Sequence, residues 1–287
     1  RLDANTFGNK MKNPLEQFSP RLSLSKTINE RLTFNANTGI YYQLPAYTIL
    51  GYRDSDNQLQ NKNVRYIRAT HFVAGFEYQT KKNARITAEG FLKLYDQYPF
   101  GLLDSISIAN QGSDFGVVGD EPVDSRSNGR AYGIELLYQQ KLFKGFYGLV
   151  SYTFVRSEFT NLDSKYIASS WDYRHIISLT AGKTFAKNWE AGIRFRFNSG
   201  NPYTPFDLAT SSLISNWNIS GQGVLDADQI NAERNGLFHQ MDLRIDKKYY
   251  FKKWVLDVFL DVQNFYNQIT ELSPYLNVVR DANGNPV

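Results

Sequence analysis

Trp189-Glu190-Ala191-Gly192-Ile193-Arg194-Phe195-Arg196-Phe197-Asn198 decides the fold. Every odd-numbered residue in it is apolar, while Glu190, Arg194 and Arg196 fall on even positions. A β-strand sends successive side chains to opposite faces, so this segment reads as a strand with one apolar and one charged face. The period of two recurs at 254–263, where Trp254, Leu256, Val258, Leu260 and Val262 oppose Val255, Asp257, Phe259, Asp261 and Gln263. At 240–246, Met241, Leu243 and Ile245 oppose Gln240, Asp242, Arg244 and Asp246. Working outward, the same alternation predicts strands near 17–28, 31–43, 66–80, 84–97, 130–142, 146–158 and 174–185, ten in all. No helical period of useful length competes with them.

The connections between these strands alternate in length. Asn29-Glu30, Lys81-Lys82-Asn83, Phe143-Lys144-Gly145, Ala186-Lys187-Asn188 and Tyr249 to Lys252 are short. Leu44 to Arg65, Tyr98 to Gly129, Phe159 to Tyr173 and Ser199 to Asn235 are long. Antiparallel strands joined in this way gather the short turns at one end and the long loops at the other, as outer-membrane barrels do. A soluble β-sandwich has no reason for that segregation, and its strands are ordinarily about 5–6 residues long. Tyr41, Tyr42, Tyr78, Tyr132, Tyr249, Tyr250 and Trp254 lie near strand ends, where aromatic girdles belong.

Composition agrees with that reading and removes several others. With 287 residues and a mean hydropathy of −0.45, the chain could pass for soluble, but a barrel strand is apolar only at alternate positions. Its longest apolar run, Gly145 to Val150, is far short of the roughly 20 residues a membrane helix needs. Zero cysteines exclude disulfides, thiolate metal sites and a cysteine nucleophile. A net charge of +4, with both signs interspersed, gives no nucleic-acid surface. The chain opens Arg1-Leu2-Asp3 without a secretory leader, which suits a mature chain or a segment of one.

A lysine or arginine facing lipid costs about 2–4 kcal/mol at mid-membrane. The apolar faces carry no charge at their centres; Lys26 sits beside a turn, within reach of head groups. Arg85, Glu89, Lys93, Glu135, Arg194, Arg196, Asp242, Arg244, Asp246, Asp257 and Asp261 fall on the other face, which predicts a polar or plugged lumen. Ala191, Ile193, Phe195, Leu256, Val258 and Leu260 are expected to meet lipid, with Val258→Arg costing about 2–4 kcal/mol. Strand parity goes further. Ten strands beginning and ending at the long-loop end place both termini outside the cell, and unpaired edges in lipid are costly. At least one more strand is therefore expected at each end. Arg1 to Asn5 reads as the tail of an upgoing strand, and Asn267 to Val287 as a final loop whose descending strand is absent.

Several stretches, taken in order, resemble the barrel of TonB-dependent outer-membrane receptors. They are Gly129 to Leu136, Ser151-Tyr152-Thr153-Phe154, Trp171 to Ile176, Asn198 to Pro205, Phe238 to Lys248, and Asp261-Val262-Gln263-Asn264-Phe265-Tyr266-Asn267. The resemblance covers roughly 17–267. It implies an all-β, antiparallel transmembrane barrel segment incomplete at both ends, corresponding to about strands 12–21 of a 22-stranded barrel. Residues 1–287 would be one barrel segment, without plug domain or final strand. The resemblance also implies a Gram-negative outer membrane and active import of a scarce nutrient: a metal chelate, vitamin, glycan or peptide. The implied partners are outer-membrane lipids, the plug of the same polypeptide, a TonB-type complex acting through that plug, and a surface lipoprotein. A passive porin or a barrel-borne adhesin is the alternative. No cofactor is implied.

Candidate site residues follow from the faces and loops. Arg194, Arg196, Asp242, Arg244, Asp246, Asp257 and Asp261 are candidate plug or substrate contacts in the lumen, and their paired signs predict cross-strand ion pairs. The acids could instead hold a divalent cation, though pairing with the arginines is preferred. Asp172 near His175 is the nearest approach to a hydrolytic pair; with no other catalytic grouping the chain reads as a non-enzyme. His71 and His239 read as polar-face or loop-end residues. The long loops are acidic: Asp104, Asp114, Asp120, Glu121 and Asp124 outweigh Arg126, while Asp207, Asp226, Asp228 and Glu233 outweigh Arg234. Tyr203, Phe206 and Trp217 are candidates to stack on a ligand ring.

Overall fold

The computed structural model describes residues 4–112 and 119–284. Its main sheet is a meander. The long strands are β1 (Arg21–Asn29), β2 (Leu32–Gln43), β3 (Ile67–Gln79), β4 (Ala84–Gly101), β5 (Val123–Phe143) and β6 (Phe146–Thr160). A short β7 (Tyr166–Ala168) adds to β6, and then come β8 (Arg174–Phe185) and β9 (Trp189–Asn198). The two-residue pair β10 (Pro202–Tyr203) and β11 (Glu233–Arg234) forms a separate ribbon, followed by β12 (Phe238–Tyr250) and β13 (Val255–Val262). The ten long strands pair antiparallel in sequence order, ending in β9-β12-β13. Among the described residues β1 pairs only with β2 and β13 only with β12, so the sheet is open at both edges, an incomplete barrel.

Register carries the alternation across the whole sheet. Phe76, Ala88, Leu136, Tyr152, Ile177 and Phe197 form one cross-strand row on the outer face. Phe72, Phe76, Ile86, Leu92, Ile134, Leu136 and Ile245 stay exposed although they lie within the sheet. So broad an exposed apolar surface is rare in soluble monomers. Leu256, Val258 and Leu260 are exposed on it too, while Ala191, Ile193 and Phe195 share it half-buried between β8 and β12. Charge on this face is confined to its rims. Arg68–Asp96 and Arg130–Glu158 pair at the long-loop end; Lys26, Lys183 and Lys247 stand near the turns.

The tight turns are built for their end of the sheet. Between β5 and β6, Lys144 (φ 52°) and Gly145 (φ 79°) both take left-handed backbone, the geometry that matches strand twist in a two-residue hairpin. A Cβ on Gly145 would also lie 2.8 Å from the Thr184 carbonyl oxygen. At the opposite end the connections fold into a cap. Met11, Ile49, Leu50, Val64, Tyr66, Ile108 and Val123 make its apolar core. Asn61 fastens it, donating to the Ile49 and Glu121 carbonyls at 2.8 and 2.9 Å and accepting from the Val123 amide at 2.8 Å.

Several boundaries differ from those the sequence predicts. β4 and β5 run on to Gly101 and from Val123, so Asp124 and Arg126 belong to a strand rather than a loop. Asp114 and Arg1 to Asp3 lie outside the described residues. The first strand begins at Arg21 because Pro14–Gln17 forms a 3-10 turn, and the last ends at Val262. Tyr41 and Tyr250 face the polar side, opposite Ala69 and Val255, so neither belongs to an outer girdle. Val258 stands opposite Lys247, at the turn-side rim. The cost of Val258→Arg there falls toward about 0–1 kcal/mol, below the mid-membrane figure.

Candidate functional site

Alternate residues of β9, β12 and β13 face the polar side and bring most of the predicted lumen set together. Asp242 lies directly across from Arg194, whose Nε and Nη2 both donate to Oδ2, at 2.9 and 2.7 Å. Arg196 approaches the same oxygen at 3.6 Å. Gln240 Nε2 and the Asn264 amide donate to Oδ1 at 2.7 and 2.9 Å, so Asp242 is saturated and buried under its partners. Arg244 pairs along its own strand with Asp246 at 2.7 Å and lies over the Phe259 ring at 3.9 Å. Lys248 reaches Glu190 at 3.4 Å, and the Tyr147 hydroxyl donates to the same carboxylate. Asp257 and Asp261, on the exposed edge strand, have no ion-pair partner within 4 Å among the described residues, although Lys248 and Arg244 stand opposite them. A cavity of about 240 Å³ opens here, lined by Tyr147, Arg194, Asp242, Arg244 and Asp261. The expected cross-strand pairing thus forms at Asp242, runs along the strand at Asp246, and leaves two acids available.

The loop aromatics separate. Tyr203 and Phe206 border a cleft of about 210 Å³ with Leu225, Pro274 and Tyr275. Trp217, on a short helix spanning Ile214–Ser220, instead donates its indole N–H to the Ser211 carbonyl at 2.7 Å. Asp172 and His175 do not form a pair. His175 Nδ1 meets the Tyr152 hydroxyl at 3.0 Å, opposite Phe154 on the outer face. Asp172 is fully buried: it accepts the Ser157 amide at 2.7 Å and an Arg234 guanidinium N–H, with Arg156 at 3.4 Å. His239 shares the face of Met241 and bonds the Tyr266 hydroxyl at 2.7 Å; His71 is on the polar face, opposite Lys93.

The sequence reading missed how the loops lock together. Asn231 donates to the Asn110 and Ala168 carbonyls, both at 2.8 Å, joining three connections. Glu121 accepts the Leu103 amide at 2.8 Å and the Gln111 side chain at 2.8 Å. The acidic loop residues are therefore partly structural. Burial raises the Asp104 carboxyl above its ordinary 3.8, the nearby Glu121 and Asp120 charges add to that rise, and the Gln111 hydrogen bond opposes it. Above its raised pKa the ionised carboxyl costs the loop stability, and that cost vanishes as pH falls below 3.8. Asp104→Asn is therefore expected to slow hydrogen exchange at Leu103 at neutral pH and to have no effect at pH about 3. Faster exchange in the variant at neutral pH would reverse the sign of this argument. Asp207, at the start of the single helical turn Leu208–Ser211, is held below its ordinary range by hydrogen bonds from Thr210.

No protein-family model matches the sequence, and no curated protein matches it. Solved structures do match. The ferripyoverdine receptor of the outer membrane of Pseudomonas aeruginosa is 13% identical with a TM-score of 0.60, over 88% of this chain and 29% of that one. The ferric-catecholate import receptor Fiu from E. coli K12 is 13% identical with a TM-score of 0.58, over 86% of this chain and 30% of the receptor. The ferric citrate transporter FecA is 15% identical with a TM-score of 0.60, over 87% of this chain and 33% of the transporter. The chain thus spans about a third of the length of such proteins. Its fold is that of part of the barrel of a TonB-dependent outer-membrane receptor.

Proposed function

We propose that this chain is a barrel segment of a Gram-negative outer-membrane receptor that imports a scarce nutrient, such as a metal chelate, vitamin, glycan or peptide. The observation that carries this reading is the sheet itself: ten consecutive antiparallel strands, apolar outside and charged inside, matched by import receptors and transporters over nearly their whole extent. Residues 1–287 would be one barrel segment, closed by further strands at both free edges, since unpaired backbone in lipid is expensive. A plug domain of the same polypeptide would fill the lumen, and a TonB-type complex would act through that plug. Lipids would cover the outer face, and a surface lipoprotein could bind at the loop cap.

The lumen chemistry supports a plug over an open channel. Arg194, Arg196, Asp242, Arg244 and Asp246 are largely paired with one another, whereas Asp257 and Asp261 are left for basic groups on a partner. In planar bilayers the full-length protein is expected to conduct little, and nutrient uptake by intact cells is expected to stop when the proton gradient is collapsed. Large steady conductance together with gradient-independent uptake would establish the passive porin instead.

A further inference from the structure

The connection from β4 to β5 carries negative charge that its own residues leave unneutralised. Asp104, Asp120 and Glu121 stand close enough for the last two to act on the Asp104 carboxyl. Arg126, the one basic residue between 98 and 129, pairs with Asp124 instead. Gly101 pairs with Val123 at the loop-side end of β4 and β5, so Glu121 lies just past the last rung. A Cβ on Gly101 would overlap the Glu121 carboxylate, so glycine is what admits it. Glu121 is thereby buried, and its Oε2 accepts the Leu103 and Asp104 amides at 2.8 and 3.3 Å. Its Oε1 shares one side chain with Asp104: Gln111 Nε2 donates to Glu121 Oε1 at 2.8 Å and to Asp104 Oδ2 at 3.2 Å.

Those two bonds use both amide hydrogens of Gln111 and leave its oxygen out. Gln111 is 4% exposed, and its Oε1 is buried with no donor among the described residues. A carbonyl oxygen withdrawn from water without a donor is costly. A half-turn of the amide would carry Oε1 to the point Nε2 now holds, between the two carboxylates, where three oxygens are compatible only around a cation. The Gln111 amide nitrogen therefore stands where a metal ion fits. No three carboxylates or imidazoles gather at one point among the described residues; here two carboxylates and one carboxamide do. Such a set, all oxygen with no nitrogen or sulfur donor, suits calcium, which takes flexible oxygen coordination and completes it with water. Asp104 is exposed, which opens the site to solvent and to the ion.

We propose that Asp104, Gln111 and Glu121 form a calcium site that fastens the tip of the connection between β4 and β5. The site lies wholly within this loop, so its failure is separable from a failure of the uptake experiment. The test follows hydrogen exchange at the Leu103 amide, which bonds Glu121, against CaCl2 concentration in the full-length protein in phosphatidylcholine nanodiscs at neutral pH. Calcium is expected to slow that exchange at least tenfold, with a midpoint of about 0.1–1 mM, the range of extracellular calcium modules. Asp104→Asn removes one ligand charge and should raise the midpoint at least tenfold. In chelator it exchanges more slowly than the unmodified protein, because the carboxylate repulsion is gone; in calcium that order reverses. Gln111→Glu supplies a third carboxylate of the same length. It should exchange faster in chelator, lower the midpoint at least fivefold and recover full protection in calcium, whereas loss of a purely structural amide would not be rescued. Heat-modifiable gel mobility verifies that each variant folds. No protection of Leu103 at about 20 mM CaCl2, equal protection by NaCl at matched ionic strength, or unchanged midpoints in both variants would overturn the proposal.

Discussion

Leu136→Arg is expected to lower the folding stability of the full-length barrel in phosphatidylcholine vesicles by about 2–4 kcal/mol. Leu136 lies near the centre of β5 on the outer face, opposite Ala88 and Tyr152, with Ile134 and Tyr138 as its same-face neighbours. Arg130 lies three outer-face positions toward the loop rim and Gln140 two toward the turns, so an arginine at 136 stands at least four residues, about 13 Å, from either. Leu137, the next residue, faces the polar side opposite Thr87 and Ser151. Leu137→Arg should therefore cost far less, because its charge enters a lumen already holding Glu89, Lys93 and Glu135. Urea titration of vesicle-inserted protein measures both. Equal losses at 136 and 137 would show that the two faces do not meet different solvents.

That one-residue contrast explains what could be read from the chain. Alternation is local, and lipid imposes it on every spanning strand, so Trp189 to Asn198 announced its two faces without any knowledge of its neighbours. The alternation of short and long connections then fixed strand order. Depth was not local. Val258 looks mid-strand in sequence, but only its pairing with Lys247 shows that it lies at the rim. Faces were also lost wherever the period broke: the shifted register beyond Tyr95 sends Tyr98 to the side that simple counting denies it. Asn61, Asn231 and Asp172 illustrate the third limit. Each bonds residues tens of positions away, such as Val123, Asn110 and Arg234, and no spacing rule connects such partners. The lumen set fell between these cases. Its face was legible, but whether Arg244 would choose Asp261 across the strand gap or Asp246 along the strand depended on side-chain reach.

Asp172→Ala should have the largest effect outside the membrane-facing strands, because it removes the anion on which two connections and the loop-side ends of β6 and β8 converge. Its carboxylate is fully buried and accepts the Ser157 amide, while Arg156, Arg174 and Arg234 all approach within 4 Å. Arg234 also donates to the carbonyls of Asp172 and Gly200, which ties β11 and the connection after β9 to the start of β8. Without the carboxylate, three guanidinium groups face one another and the Ser157 N–H loses its acceptor. Breaking a buried pair typically costs about 3–5 kcal/mol; the arginines keep some solvent, so about 2–3 kcal/mol is expected here. That amounts to exchange roughly 30- to 160-fold faster at Ser157, Ser169 and residues 199–235, with the amides at the centre of β9 unchanged. Asp172→Asn keeps an acceptor for Ser157 but not the charge, so it should fall between. Unaltered exchange in Asp172→Ala would mean that the loop cap is held by Asn61, Asn231 and its apolar core alone.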